Sequence, residues 1–326
     1  MTSYPITFFG IHEPSPGPRW KALFDSTWPA YRAFYLRDGR GARPSLRTAG
    51  AALATHMPEL LPAWAKLSEQ TGHDEIAAAL LTGWDLPTFA PAGCSQVTTV
   101  HPSPSLLRNY DYAPDLFEQV SLSTDYLQPV IGTGDCLWGL LDGMNAAGLA
   151  VSLAYGGDRT SGEGFAIPVV LRYLLETCET TEQATTALAR LPIAMAYNVT
   201  MIDAHGTVRT AHLRPGHDAE FAGQPAATNH RWEQPLDVTH ATYYRSVERV
   251  EQLKDLVADR ATADDLAHQL LTPPLHVGDY AGGFGTLYTA DYRPAERTVI
   301  YRWPDRAWPR TFDSPSDTVD VVLHDA

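Results

Sequence analysis

The sequence predicts an α+β fold in which antiparallel sheets are covered by helices. Three observations carry that expectation. Residues up to about 90 read as helix, the texture changes to strands at Cys94, and from there runs of strands alternate with helical pairs. Strict strand–helix alternation would indicate a parallel, doubly wound sheet, whereas alternation in runs indicates antiparallel sheets with helices on their faces. No GxGxxG, phosphate-binding loop, internal repeat or low-complexity tract interrupts the pattern.

The elements follow in order. Residues 20–35 carry apolar and aromatic side chains at helical spacing; 45–67 are rich in Ala and Leu but interrupted by Pro58 and Pro62; 74–81 predict a short helix. Residues 87–94 hold two prolines and a glycine, which exclude regular structure. Strands are expected at 96–101 and 106–112, as a hairpin across His-Pro-Ser-Pro-Ser, then at 117–122, 129–134, 137–142 and 148–154. Helices at 167–179 and 181–191 come next, followed by strands at 196–203 and 208–213. Helices at 240–255 and 262–271 precede a last hairpin, 285–291 with 298–303.

Composition narrows the function. The chain has 326 residues, with 24 Lys and Arg against 38 Asp and Glu, a formal net charge of −14. Such a surface repels phosphate backbones and anionic lipid, so neither nucleic acid nor a membrane is an expected partner. No basic residue precedes the short apolar patch within residues 1–10, and no run reaches the roughly 18 apolar residues of a membrane span. Three scattered cysteines (Cys94, Cys136 and Cys178) form neither a disulfide framework nor a metal-ligand cluster, and the twelve histidines show no ligand spacing. A reduced, cytoplasmic protein without metal or cofactor is the expectation.

Cys94 is oddly placed for a structural thiol. It follows a Pro-Ala-Gly step at the junction of helical leader and sheet, and Gly93 can take backbone angles that a residue with a Cβ resists. On the return strand, Arg108 and Tyr110 share one face while Asn109 and Asp111 share the other. Downstream stand Gly143-Met144-Asn145, Thr228-Asn229-His230, and Arg245 in a Tyr-Tyr-Arg-Ser stretch.

In that order these residues resemble the cysteine N-terminal nucleophile (Ntn) hydrolases. More narrowly, they are similar to the isopenicillin-N acyltransferase branch, peptidase family C45, related to choloylglycine hydrolases and penicillin V acylase. The resemblance covers residues 94–326, and the long leader favours the acyltransferase-like branch. It implies a four-layer αββα sandwich of two antiparallel sheets, with residues 1–93 as a helical pro-segment and 94–326 as the catalytic domain. The chain is then expected to cut itself between Gly93 and Cys94. Cys94 would be the nucleophile with its freed amine as base, Asp111 would hold that amine, and Arg108 would stand beside the thiolate. Asn229 and the Tyr155 backbone N–H would bind the oxyanion, and Arg245 would match the last polar position of the pattern. Pocket lining is expected from Tyr155, Tyr243, Tyr244 and Phe284. The partners implied are a small-molecule amide or acyl-thioester and the cleaved pro-segment as a tightly bound subunit, with a homo-oligomer left open.

That set suits acyl transfer. A free thiol is mostly protonated at neutral pH, and an α-amine on the same residue can take its proton without a separate histidine. Two alternatives stand beside this reading: an uncleaved cysteine hydrolase using His101 or His230 as base, and a catalytically silent binding protein of the same fold.

Overall fold

A computed structural model describes residues 3–90, 93–231 and 236–325 of the chain. Strand β1 (Ser3–His12) opens it, followed by helices α1 (Pro18–Tyr35), α2 (Leu46–His56), α3 (Leu61–Gln70) and α4 (Glu75–Leu81). The prolines act as expected: α2 ends at His56 and α3 restarts beyond Pro58, while Asp74 caps α4 through the Ile76 and Ala77 N–H groups. The expected break holds through residue 90, whereas Gly93 and Cys94 already belong to a strand; Pro91 and Ala92 lie outside the described residues.

Next come β2 (Gly93–Thr99), β3 (Ser105–Tyr112), β4 (Val120–Asp125), β5 (Pro129–Asp135), β6 (Gly139–Asn145) and β7 (Ala150–Tyr155). Helices α5 (Ile167–Thr177) and α6 (Thr181–Leu188) lead to β8 (Tyr197–Ile202), β9 (Val208–Leu213), β10 (Glu220–Ala222) and β11 (Ala226–Ala227). The chain continues through α7 (Val238–Tyr243), α8 (Ser246–Ala258) and α9 (Ala263–Leu270). It closes with β12 (Gly278–Asp279), β13 (Phe284–Arg293), β14 (Thr298–Trp303), β15 (Arg306–Thr311) and β16 (Asp317–His324).

Two sheets result. One runs β10-β9-β8-β7-β6-β5-β4-β1-β16; the other runs β11-β2-β3-β13-β14-β15, with β12 on β13. They face each other through β2 and β3 against β7 and β8, while α5 and α6 cover the first sheet and α8 and α9 the second. The layers are therefore αββα. Asp142 on β6 binds them across the interface: Tyr288 and Tyr292 on β13 donate to it at 2.6 and 2.5 Å. No described helix is long and apolar enough to cross a membrane.

The leader departs from the expectation of helix alone. Ser3–His12 is a strand whose inward residues Ile6 and Phe8 alternate with outward Thr7 and Phe9. It pairs antiparallel with β16 and parallel with β4, so the first sheet is not wholly antiparallel. Phe8 is fully buried, its ring 5.1 Å from that of Tyr301 and 5.4 Å from that of Phe117. Burying one such ring contributes about 1.5–3 kcal/mol. The leader thus supplies an inner strand of the sandwich as well as its helical cap.

The Gly-Met-Asn segment lies in β6 rather than in the turn after it. Asn145 holds that turn: its Oδ1 accepts from Gly148 and Leu149 N–H, and its Nδ2 donates to the Leu175 and Cys178 carbonyls. Trp303 packs in the core and donates to the Leu287 carbonyl, as a structural aromatic should.

Candidate active site

The β2–β3 hairpin pairs Cys94 with Tyr110 and Gly93 with Asp111. Strand alternation sends Cys94 and Arg108 to the face between the sheets. There Arg108 Nη2 donates to Cys94 Sγ at 3.4 Å, while Nη1 donates to the Leu141 carbonyl at 2.7 Å and to Asp142 at 2.6 Å. The guanidinium also lies 4.8 Å from the centre of the Tyr110 ring. Burial pushes the Cys94 thiol up from its ordinary value; Arg108 pulls it back and Asp111 adds to the rise. Cys136 and Cys178, by contrast, are buried thiols without an arginine donor.

On the opposite face Asp111 and Ser95 meet a residue that sequence reasoning missed. Arg249 of α8, fully buried, donates through Nη1 to Asp111 at 2.9 Å and to Ser95 Oγ at 3.0 Å. Its Nη2 donates to Asn229 Oδ1 at 3.1 Å. Thr286 Oγ1 donates to the other Asp111 oxygen at 2.8 Å. Burial raises the Asp111 carboxyl, against the pull of Arg249 and the Thr286 hydrogen bond. Arg245, the residue singled out from the sequence, is not at this site. It takes a left-handed conformation (φ 48°) before α8 and pairs at the surface with Glu248.

Asn229 joins the thiol residue to β7. Its Oδ1 accepts from the Cys94 backbone N–H at 2.8 Å, and its Nδ2 donates to the Tyr155 carbonyl at 3.2 Å. The Asn229 loop is itself fixed, since Asn229 N–H donates to Ser246 Oγ and Thr228 Oγ1 donates to the Ser246 carbonyl. Gly156 N–H is spent on Ala196, so ladder alternation turns the Tyr155 N–H to the other edge of β7. Pairing with β6 there stops at Asp142 and Ser152. That N–H and Asn229 Nδ2 are the two donors expected for an oxyanion.

Gly93 is not in a left-handed conformation; close packing is what excludes a side chain. A Cβ would lie 2.1 Å from the Phe284 ring and 3.0 Å from Tyr244. These two rings pack 4.3 Å apart over the 93–94 step, with the exposed Tyr243 beside them. His240 fills the gap between Tyr244 (4.2 Å) and Tyr155 (4.9 Å), and burial holds it down at about 4. His230 hydrogen-bonds Ser246, and His101 approaches Arg260.

A cavity of about 470 Å³ lies against this centre, reaching it through Tyr110 and Tyr155. Of the expected lining residues only Tyr155 belongs to it; Tyr244 and Phe284 instead close over Gly93, and Tyr243 packs beside them at the surface. Much of the wall is leader: Tyr31 and Phe34 from α1, and Phe89 and Ala90 from the stretch before Gly93. Leu141, Leu153 and Ile167 supply aliphatic surface. Among the described residues no three His, Cys, Asp or Glu side chains are grouped as a metal site.

Two facing sheets flanked by helices, with a cysteine at the head of an inner strand, define an Ntn-hydrolase fold. The family model for acyl-coenzyme A:6-aminopenicillanic acid acyl-transferase matches residues 100–308. The chain belongs to that family, and so to enzymes of the acyl-transferase type. No curated protein matches it. Among solved structures, penicillin V acylase from Agrobacterium tumefaciens is similar at 13% identity and a TM-score of 0.48, over 66% of this chain and 84% of that one. A point mutant of conjugated bile acid hydrolase from Clostridium perfringens is similar at 10% and 0.46, over 69% and 96%. A Caenorhabditis elegans ortholog of N-acylethanolamine-hydrolyzing acid amidase matches at 14% and 0.45, over 62% and 92%.

Proposed function

We propose that the chain is a self-processing amide hydrolase or acyltransferase whose nucleophile is Cys94, active once the Gly93–Cys94 bond is cut. One observation carries this reading: the thiol and the backbone nitrogen of Cys94 are held separately, by Arg108 at 3.4 Å and by Asn229 Oδ1 at 2.8 Å. A structural cysteine needs neither contact.

In maturation the thiol attacks the Gly93 carbonyl. The S–C bond forms, the C–N bond breaks with the proton passing to the Cys94 nitrogen, and water then releases Gly93 as a carboxylate. The freed α-amine, with an ordinary value near 7.7–8.0, stays on Asn229 Oδ1 and can accept the thiol proton. Arg108 offsets the cost of a buried thiolate. Asp111 acts in this geometry through Arg249, which it neutralises and which fixes the Asn229 amide.

Attack on a substrate carbonyl places an oxyanion between Tyr155 N–H and Asn229 Nδ2. The 3.2 Å bond from Nδ2 to the Tyr155 carbonyl is long, and a charged acceptor competes well for it. Each such donor is worth roughly 10²–10³ in rate. The acyl group rests on Cys94 as a thioester until water or an amine acceptor takes it, and the same residues serve both outcomes. The aromatic and aliphatic cavity wall favours an apolar acyl group. The pro-segment remains as a bound subunit because β1 is paired on both edges and α1 walls the cavity.

The test is acyl-enzyme trapping. A slowly deacylating aryl ester should add one acyl mass to the peptide that begins at Cys94, and add none in Arg108→Met at equal dose. Acylation elsewhere, or on uncut chain only, contradicts the reading.

A further inference from the structure

The same cavity holds an acidic group that the chemistry at Cys94 does not use. Glu118 and Asp135 both line it, with Tyr31 of α1 between them. The Tyr31 hydroxyl contacts Glu118 Oε1, lies 3.1 Å from Asp135 Oδ1, and accepts from the Cys136 N–H at 2.9 Å. Leu137 N–H donates to Glu118 Oε1 at 2.8 Å. One hydroxyl hydrogen cannot serve two carboxylates, so Tyr31 satisfies only one of the pair at a time.

Burial pushes Glu118 up to about 8 and Asp135 to about 6, each reinforced or relieved by the groups just named, with Arg108 drawing on Asp135 alone. Tyr110, Tyr112 and Tyr197 face Asp135 from β3 and β8 and bring no positive charge. At neutral pH the pair therefore carries about one negative charge. Arg108 is already divided among Cys94, Asp142 and the Leu141 carbonyl. No described lysine or arginine forms an ion pair with Glu118 or Asp135, and Glu118 Oε2 is buried without any hydrogen-bond partner. Ser26, Thr27, Arg37 and Asp115 also line the cavity, but Arg37 is turned to Asp38 and Thr88, so the acid pair and the idle Glu118 acceptor have no cation of their own.

We propose that Glu118 and Asp135, with the Tyr31 oxygen, form a subsite for one primary ammonium group carried by the substrate on an apolar chain. The ammonium has three donors and no acceptor, which fits Glu118 Oε2, Asp135 and the Tyr31 oxygen, and its chain would lie along Phe117 and Leu141. This rests on the reading of the cavity as the substrate pocket. Part of that pocket would then be leader, since Tyr31 lies on the N-terminal side of Cys94.

Binding of n-hexylammonium and of 1-hexanol to the purified full chain, followed by calorimetry, tests the subsite without any substrate. Hexylammonium should bind at pH 7.5 at least tenfold more tightly than hexanol. It should lose that advantage at pH 5, where the acid pair is neutral, and in Asp135→Asn at pH 7.5, which removes the carboxylate that is ionised there, while hexanol is indifferent to both changes. If Asp135→Asn does not fold, the wild-type pH series decides alone. Equal binding of the two probes at pH 7.5, or an ammonium preference that persists at pH 5, overturns the proposal. Protection of Cys94 from iodoacetamide by bound hexylammonium separates the two readings. Binding without protection leaves the ammonium subsite standing and removes the cavity from the Cys94 reaction.

Discussion

Arg249→Met, made in a Cys94→Ala background so that the chain stays whole, removes a fully buried cation with three hydrogen-bond partners. Its bonds to Asp111, Ser95 and Asn229 are 2.9, 3.0 and 3.1 Å, and Asp111 keeps only Thr286 once they are gone. Stranding one charge of a buried pair costs about 3–5 kcal/mol. Arg245→Met breaks a surface pair with Glu248 and should cost about 1 kcal/mol or less. Adding Asp111→Asn to Arg249→Met removes the stranded charge and should recover part of the loss. Urea unfolding of these three variants and of Asp111→Asn alone, beside the parent, reads the difference. The reasoning fails if the two arginine substitutions cost the same, or if Asp111→Asn deepens the loss by its full single-mutant amount.

Two further outcomes follow from the same geometry. Gly93→Ala forces a Cβ onto the Phe284 ring, so the variant should lose about 1–3 kcal/mol by overpacking and process itself more slowly, and Phe284→Leu should restore part of both. Densitometry of cleaved and uncleaved bands over time checks this. His240 is held at about 4 by burial, below its unfolded value near 6.5. The unfolded state therefore binds more protons across that interval, and the stability His240 contributes is full above pH 6.5 and lost as pH falls toward 4. The melting temperature of wild type should fall more steeply between pH 6.5 and 4 than that of His240→Phe; parallel curves would contradict the assignment.

Much of the site was legible because strand alternation is rigid. Once residues 106–112 read as a strand opposite Cys94, the split of Arg108 from Asp111 onto two faces followed, and the hairpin has that form. Arg249 was harder, because an arginine in an amphipathic helix looks the same whether it faces solvent or a buried carboxylate. A signal was present: Ser246, Arg249, Val250 and Leu253 share the buried stripe of α8, whereas Arg245 precedes the helix in a left-handed turn. The N-terminal strand also carried its mark in the alternation around Ile6 and Phe8, but the strong helices after it dominated the reading of the leader. Strands β15 and β16 went unread although Val319, Val321 and Leu323 alternate along β16. The cavity was out of reach, since α1 and β5 meet only in the tertiary fold and no local pattern announces that Tyr31 lies against Asp135.

The central claim is that Cys94 becomes a chain terminus, and intact mass measurement of freshly purified, active protein tests it most directly. Wild type should give two fragments whose masses correspond to residues 1–93 and 94–326, co-eluting in native size exclusion because β1 stays in its sheet; Cys94→Ala should give a single chain. A single intact chain in a fully active wild-type preparation, or a cut at any other bond, would contradict the account.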